Sequence, residues 1–160
     1  VTSIATNTAD IATNTSDIAD VLAVDSAREA LFLKVMPTDF RMNDDYDRKP
    51  NMVEDDVVGY LSIGMTASTS EAYAFINILK GYKATHVQVF ASASTTNAVQ
   101  VLEFNHTTGA ITSKGTGSLN AMIDITDIYA SATNGSLVIK IAPGSMATQI
   151  YGATITLKFL

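Results

Sequence analysis

A seven-residue repeat near the amino terminus constrains the fold of this chain more than any other feature of its sequence. Residues 4–10 read IATNTAD and residues 11–17 read IATNTSD, so the two copies differ at one position. Seven residues are the period of a coiled coil, in which positions a and d face a partner helix. With isoleucine at position a, position d holds asparagine twice and then valine. The predicted seam consists of Ile4, Asn7, Ile11, Asn14, Ile18 and Val21.

The composition of this repeat indicates that its helix needs a partner. Threonine, asparagine and aspartate are weak helix formers, and isolated helices of this length are marginal in water even when they are rich in alanine. Association with other copies is therefore expected. Isoleucine at position a is compatible with dimers and with trimers, so the period by itself leaves both open. The alternative interpretation is a solvated, threonine-rich linker.

Repeats of the form I-x-x-N-T-x-D resemble the stalks of trimeric autotransporter adhesins and of bacteriophage tail fibres, and the resemblance covers residues 4–21. It implies a homotrimer in which the d-position side chains of Asn7 and Asn14 meet on the axis and hold an anion. Val1-Thr2-Ser3 also fits the end of an earlier heptad, which favours a natural chain that extends upstream. Removal of an initiator methionine before Val1 is the alternative.

The heptad pattern fails at Asp25, which would be an a position, and residues 26–56 are predicted to connect the stalk with a second domain. Residues 31–36 suit a buried strand or the end of the helix, and Pro37 ends either one. Residues 39–56 are strongly acidic but lack the glycine and the closing glutamate of an EF-hand loop, so a solvated loop is favoured over an irregular calcium site. Residues 34–45 also resemble the coil-to-head junction of some phage fibre-like proteins.

From residue 57 onward, short β-forming segments alternate with clusters of Gly, Asn, Ser and Thr, which is typical of an antiparallel sandwich or barrel. The chain is therefore predicted to be mainly β, with a trimeric coiled-coil stalk over residues 1–25 and a jelly-roll-like β-sandwich over residues 57–160. Asn134-Gly135 and Thr108-Gly109 are turn signals between strands. The eight predicted strands are residues 57–65, 72–80, 85–91, 98–105, 110–113, 121–126, 137–142 and 149–159.

Two local predictions concern the later part of this domain. Residues 115–118 read GTGS and are predicted to form a flexible hairpin, because neither the lysine nor the helix of a phosphate-binding loop follows them. The last strand has the clearest alternation of apolar and polar residues. Its predicted core face consists of Tyr151, Ala153, Ile155, Leu157 and Phe159.

The composition argues against several classes of function. The net charge is −6 and the ten Lys and Arg residues are scattered, which is unfavourable for binding phosphate backbones, so no nucleic-acid partner is expected. There is no cysteine, so disulfides and thiolate chemistry are excluded. No apolar run approaches the roughly 20 residues of a membrane-spanning helix, and no membrane insertion is expected.

The sequence shows no catalytic constellation. His86 and His106 lack the spacing of a zinc site and are predicted to lie at the surface. Glu71, Glu103 and Asp124 would form a glycosidase-like carboxylate pair only if folding brought them together. A protein that is not an enzyme, with no cofactor and no metal ligand, is therefore expected.

Sugar recognition has a weaker signal. Tyrosine side chains offer aromatic faces with a hydroxyl group, and the polar loops at residues 92–97 and 131–136 are the expected contact regions. The tyrosines considered are Tyr46, Tyr60, Tyr73, Tyr82 and Tyr129.

Together, these features and the resemblance predict a homotrimeric structural component of a phage virion, a fibre or fibre-like spike for assembly and contact with the host surface. Such a protein would be assembled in the host cytoplasm and located in the virion. Its partners would be its own copies, other virion proteins and a glycan or protein of the host surface. The alternatives are a capsid-decorating or adaptor trimer that docks through residues 39–56, and a glycan-binding or glycan-hydrolysing head.

Overall fold

The computed structural model describes residues 2–26, 30–42, 51–55, 60–131 and 135–160. These residues form one long helix, a short 3-10 turn at Pro37–Asp39 and eleven strands, which confirms a mainly β chain with an amino-terminal helix. All eight predicted strands are present. The elements are α1 (Thr2–Ser26), β1 (Leu31–Val35), β2 (Arg41–Met42), β3 (Asn51–Asp55), β4 (Tyr60–Gly64), β5 (Ala72–Asn77), β6 (Tyr82–Ala91), β7 (Val99–Phe104), β8 (Ile111–Gly117), β9 (Met122–Tyr129), β10 (Ser136–Ile141) and β11 (Gln149–Phe159).

Helix α1 is exposed to solvent along its described length. Every side chain from residue 3 to residue 19 is exposed, including those of the three repeat isoleucines. The hydroxyl groups of Thr8, Thr13 and Thr15 donate to the carbonyl oxygens four residues earlier, so these hydroxyl donors are satisfied within the helix. No helix among the described residues is long and apolar enough to cross a membrane.

The strands form two antiparallel sheets. A six-stranded sheet has the order β3-β4-β11-β6-β9, with β1 paired to the remaining length of β11, and a five-stranded sheet has the order β2-β5-β10-β7-β8. Val87 and Ile155 from the first sheet and Ile139 from the second are fully buried in one shared core. Because side chains alternate between the two faces of a strand, each sheet buries one face and presents the other to solvent. The predicted β-sandwich is thereby confirmed.

Residues 26–56 contribute more than a connection. They supply β1 and β3 to the six-stranded sheet and β2 to the five-stranded sheet. Val35 of β1 and Phe40, which precedes β2, are buried in the shared core. Phe40 follows the 3-10 turn, where the Asp39 carboxylate accepts a hydrogen bond of 2.8 Å from the Met36 amide.

The predicted face of β11 is wrong at its start because the strand contains a β-bulge. The register with β6 shifts between Ile150 and Gly152, so Tyr151 is an extra residue that points outward. Ile150 takes the core position instead, and it is fully buried. The later residues Ala153, Ile155 and Leu157 face the core as predicted, while Phe159 is half-exposed.

The hairpin predicted at residues 115–118 is also wrong, since Gly115 and Gly117 lie inside β8. A Cβ atom on Gly117 would stand 2.6 Å from the side chain of Ile123 in β9, and one on Gly115 would stand 2.8 Å from Ile125. Glycine therefore allows these edge strands of the two sheets to approach each other. The reversal of the chain occurs earlier, at Gly109, where φ is +71° and the amide donates to the Asn105 carbonyl.

Candidate functional site

The predicted seam residues lie on α1 at seven-residue intervals. Ile4, Ile11 and Ile18 are 60 to 71% exposed, and Asn7 and Asn14 are exposed as well. Residues seven apart lie on nearly the same side of an α-helix, so the isoleucines form an uncovered apolar stripe. The backbone of residue 21 is helical, but its side chain lies outside the described part of the structure. The trimeric seam and the axial anion at the two asparagines stay predictions.

The predicted carboxylate pair is not assembled. Glu71 lies 2.7 Å from the Nζ atom of Lys140, and Glu103 lies 2.8 Å from that of Lys114. Both glutamates belong to the five-stranded side of the sandwich. Asp124 lies on the other sheet, 3.7 Å from the Nε2 atom of His86.

Several other predicted features fall partly outside the described residues. Residues 43–50 and 56 of the acidic segment, and Tyr46 among them, lie outside. Tyr60 is placed in β4 without a described side chain. Within the described ranges, no three His, Cys, Asp or Glu side chains are close enough to hold a metal ion.

His106 belongs to a hydrogen-bonded chain that resembles a catalytic pair. Its Nε2 atom lies 2.7 Å from the Ser136 hydroxyl, and that hydroxyl donates to the side-chain oxygen of Asn77. An activated serine donates its proton to the histidine, whereas the Ser136 hydroxyl donates to Asn77. The arrangement therefore orders side chains and does not create a nucleophile.

The outer face of the five-stranded sheet carries the most developed set of functional side chains, and we call it the recognition face. The strand register places Tyr73 of β5 beside Lys140 of β10, and Lys140 beside Gln100 of β7. Arg41 and Thr116 continue this row to the two edge strands. Polar and charged groups therefore cross all five strands in one line.

A second row of the recognition face is apolar. Two residues further along β5, the register places Phe75 beside Val138, and Val138 beside Leu102. Val138 and Leu102 point away from the core but are only 2% and 4% exposed. They therefore form a floor that neighbouring side chains cover almost completely. Phe104 follows on β7, half-buried, with its ring edge-on to His106 at 5.1 Å.

Two aromatic rings lie side by side on this face. The rings of Tyr73 and Phe75 are 6.5 Å apart between centroids and within 19° of parallel. Phe75 is 62% exposed, although phenylalanine is usually a core residue. The pair therefore forms an aromatic platform at the margin of the floor.

The charges beside the platform are held in place. Glu71 accepts a hydrogen bond of 2.9 Å from the Tyr73 hydroxyl as well as the ion pair from Lys140. The Lys140 ammonium lies 5.7 Å from the centre of the Tyr73 ring. The hydrogen bond to Glu71 raises the pKa of Lys140 against the opposing effect of burial, so the lysine is charged at neutral pH.

A cleft of about 660 Å³ adjoins the platform. It lies along residues 75–77 of β5, which follow the two residues that pair with β2. Its volume is in the range of small-molecule sites. Phe75 lines both the cleft and the recognition face, and the cleft is also lined by Thr38, Asp39, Arg41 and Asn77.

Tyr73 is the one residue of the recognition face that the sequence predicted as a candidate for sugar stacking. The other described tyrosines lie elsewhere: Tyr82 packs edge-on against Phe159 at 5.4 Å, and Tyr129 is on the opposite sheet. Phe75 was not predicted, because the candidates for stacking were tyrosines with a hydroxyl group. The signal was present, since residues 73 and 75 share a face of a predicted strand.

No protein-family model and no curated protein sequence matches this chain. Among matching solved structures, the CBM22-1 and GH10 modules of a Clostridium thermocellum endo-1,4-β-D-xylanase, complexed with xylohexaose, share 17% identity with a TM-score of 0.47. That match covers 81% of this chain and 28% of the xylanase chain. A CBM4 structure shares 16% identity over 81% of this chain and 86% of its own, with a TM-score of 0.38. A variant of the family 29 carbohydrate-binding module CBM29-2, complexed with cellulohexaose, shares 10% identity over 81% and 92%, with a TM-score of 0.39.

These comparisons contradict the prediction of a structural component of a phage virion. The matched structures described above are carbohydrate-binding modules and a xylanase that carries one, and not fibres or capsid proteins. The same comparisons contradict the alternatives of a capsid-decorating or adaptor trimer.

Proposed function

We propose that this chain is a non-catalytic glycan-binding module and that the recognition face is its site. The observation that carries the proposal is the exposed aromatic platform of Tyr73 and Phe75 beside the fixed Glu71–Lys140 pair. A pyranose ring presents an apolar face of C–H groups and a rim of hydroxyls. Aromatic rings bury the first, and charged or amide side chains bind the second.

The shape of the site favours an extended oligosaccharide over a single sugar. The polar row from Arg41 through Lys140 and Gln100 to Thr116 crosses five strands. Neighbouring strands are about 4.8 Å apart, so the row is about 19 Å long. The apolar row of Phe75, Val138 and Leu102 runs parallel to it. A chain of sugars lying across the strands would contact the polar row and the exposed ring of Phe75, since Val138 and Leu102 are almost fully buried.

Two other functions are less well supported by the same face. An aromatic platform also suits the stacking of nucleic-acid bases, but the net charge of −6 opposes binding to a phosphate backbone. Hydrolysis of a glycan would use a pair of nearby carboxylates. Glu71 and Glu103 each bind a lysine, and Asp124 lies on the other sheet.

We also propose that α1 joins three copies into a coiled coil and that the sandwich is a jelly roll. The exposed isoleucine stripe supports the first, because a lone helix of this composition is unstable in water. The strand orders β4-β11-β6-β9 and β5-β10-β7-β8 support the second, because the last eight strands then divide equally between two sheets.

The glycan proposal is tested by screening the full chain against an array of plant, bacterial and animal oligosaccharides, followed by calorimetry on the best ligand. Replacing Tyr73 or Phe75 with alanine should weaken binding about tenfold or more, by analogy with the 1 to 3 kcal/mol that a stacked aromatic contributes to nucleic-acid binding. Tyr129→Ala is the matched control, because this exposed tyrosine lies on the other sheet. Absence of any ligand on the array would contradict the function, and equal weakening by all three variants would contradict the site.

A further inference from the structure

A second set of exposed apolar side chains lies on the outer face of the six-stranded sheet, which we call the packing face. The register aligns Phe32 of β1 with Thr156 of β11 and with His86 of β6, and the next row contains Lys34, Thr154 and Gln88. Phe32 is 58% exposed, Phe90 39% and Met122 62%. These three side chains border one shallow hollow of about 70 Å³. The hollow is too small for an oligosaccharide but suits an inserted side chain.

We infer that the packing face binds a second copy of this chain, so that the sandwiches as well as the helices form the subunit interface. The inference rests on the proposed association through α1. Exposed apolar side chains grouped around one hollow are typical of protein interfaces.

The first argument for a second copy is the length of the connection from the helix. Helix α1 ends at Ser26 and β1 begins at Leu31. Five residues of fully extended chain span about 18 Å at most. In any bundle of these helices, the β1 strand of each copy therefore lies close to the end of the bundle. Because β1 carries Phe32 and Lys34 on its outer face, part of the packing face of each copy lies near this end of the bundle, within reach of a neighbouring copy.

The second argument is the distribution of charge on the packing face. Lys34 lies on β1 at one side of the central strands, and Asp124 lies on β9 at the other side. The Asp124 side chain is 86% exposed. In a ring of identical subunits, one side of an interface meets the opposite side of the next copy. Opposite charges at the two sides are therefore complementary in a cyclic trimer.

This assembly leaves the recognition face accessible. The recognition face and the packing face belong to different sheets of the sandwich, on opposite sides of one core. Packing through the six-stranded sheet therefore directs the platform of Tyr73 and Phe75 outward in each copy. A trimer would present three glycan sites at once.

Methionine oxidation tests the inference on the unmodified full chain. Met122 of the packing face is 62% exposed in a single copy, and Met146, between β10 and β11, is 60% exposed. With dilute hydrogen peroxide, the two should form sulfoxide at similar rates in a monomer. If a second copy covers the packing face, we expect Met122 to oxidise roughly tenfold more slowly than Met146, measured by peptide mass spectrometry. Equal oxidation rates of Met122 and Met146 in an oligomer would overturn this inference without contradicting the proposed coiled coil.

A variant that separates the copies provides the control. Ile11→Asp places a charge in the predicted seam and should yield a monomer in which Met122 reacts as fast as Met146. Slow oxidation of Met122 in that monomer would mean that the cover comes from the same chain, and the inference would be wrong. A wild-type chain that is monomeric by light scattering would overturn the association through α1 and this inference together. Neither result changes the glycan-binding test.

Discussion

Single residues determine where the backbones of this sandwich come close. Gly152 follows the bulge of β11, with φ at +130°, and a Cβ atom there would stand 2.5 Å from the carbonyl oxygen of Val35 in β1. Backbone atoms cannot move aside as the end of a flexible side chain can. Gly152 therefore has both a conformational and a steric reason to be glycine.

We predict that Gly152→Ala lowers the free energy of unfolding by about 3 kcal/mol, because backbone strain and overpacking each cost about 1 to 3 kcal/mol. Gly109→Ala is the control. Its φ is also positive, at +71°, but nothing lies within 4 Å of the added Cβ atom, so only strain of about 1 kcal/mol is expected. Urea unfolding of the two variants measures the difference. If both variants lost the same free energy of unfolding, the contact of the added Cβ atom with the Val35 carbonyl oxygen would have no measurable cost.

At the scale of elements, α1 differs from every strand in what stabilises it. The strands share a core in which residues such as Val89 and Ile139 are fully buried, whereas the described side chains of α1 are all exposed. Threonine and asparagine give the helix little intrinsic stability. We therefore expect the stability of α1 to depend on contacts between copies, whereas the sandwich has a buried core of its own.

We predict that Ile11→Asp removes the helical circular dichroism signal and leaves the sandwich folded, with a lower unfolding temperature if the packing face loses its partner. The charge would lie at position a, where it opposes association of the helices. Thr13→Asp is the matched control, because it adds the same charge at position c, away from the seam. Loss of the helical signal in both variants would mean that charge, and not the seam, is responsible.

At the scale of the whole molecule, association would determine how strongly a glycan surface is bound. A trimer with three recognition faces binds a repetitive polysaccharide with an effective local concentration that a single module lacks. The mass of the purified chain from light scattering should be three times 17.0 kDa. A mass of two times 17.0 kDa would indicate a dimer, which the heptad pattern alone leaves open.

We predict that the trimer binds an immobilised polysaccharide at least tenfold more tightly than the Ile11→Asp monomer, since linked sites commonly gain a hundredfold or more. Both proteins should bind a soluble short oligosaccharide of the same glycan equally well, which is the internal control. Surface plasmon resonance measures the first comparison and calorimetry the second. Equal affinities on the surface would contradict multivalent binding.

The sequence by itself determined the features that depend on local patterns. The period of seven residues predicted the helix, alternation and turn residues predicted all eight later strands, and the glycine after Thr108 predicted a turn. These signals involve residues that are close along the chain. The virion function, which came from a resemblance over the stalk alone, was wrong, because a stalk pattern contains no information about the surface of the domain that follows it.

Only the tertiary structure decided which strands pair and which side chains meet. Leu31 pairs with Leu157 across almost the whole chain, and the bulge at Tyr151 changes which face of β11 is buried. The recognition face likewise joins Tyr73 to Lys140 through strand register. Long-range pairing is selected by the burial of both sheets at once, so no local segment of the sequence specifies it.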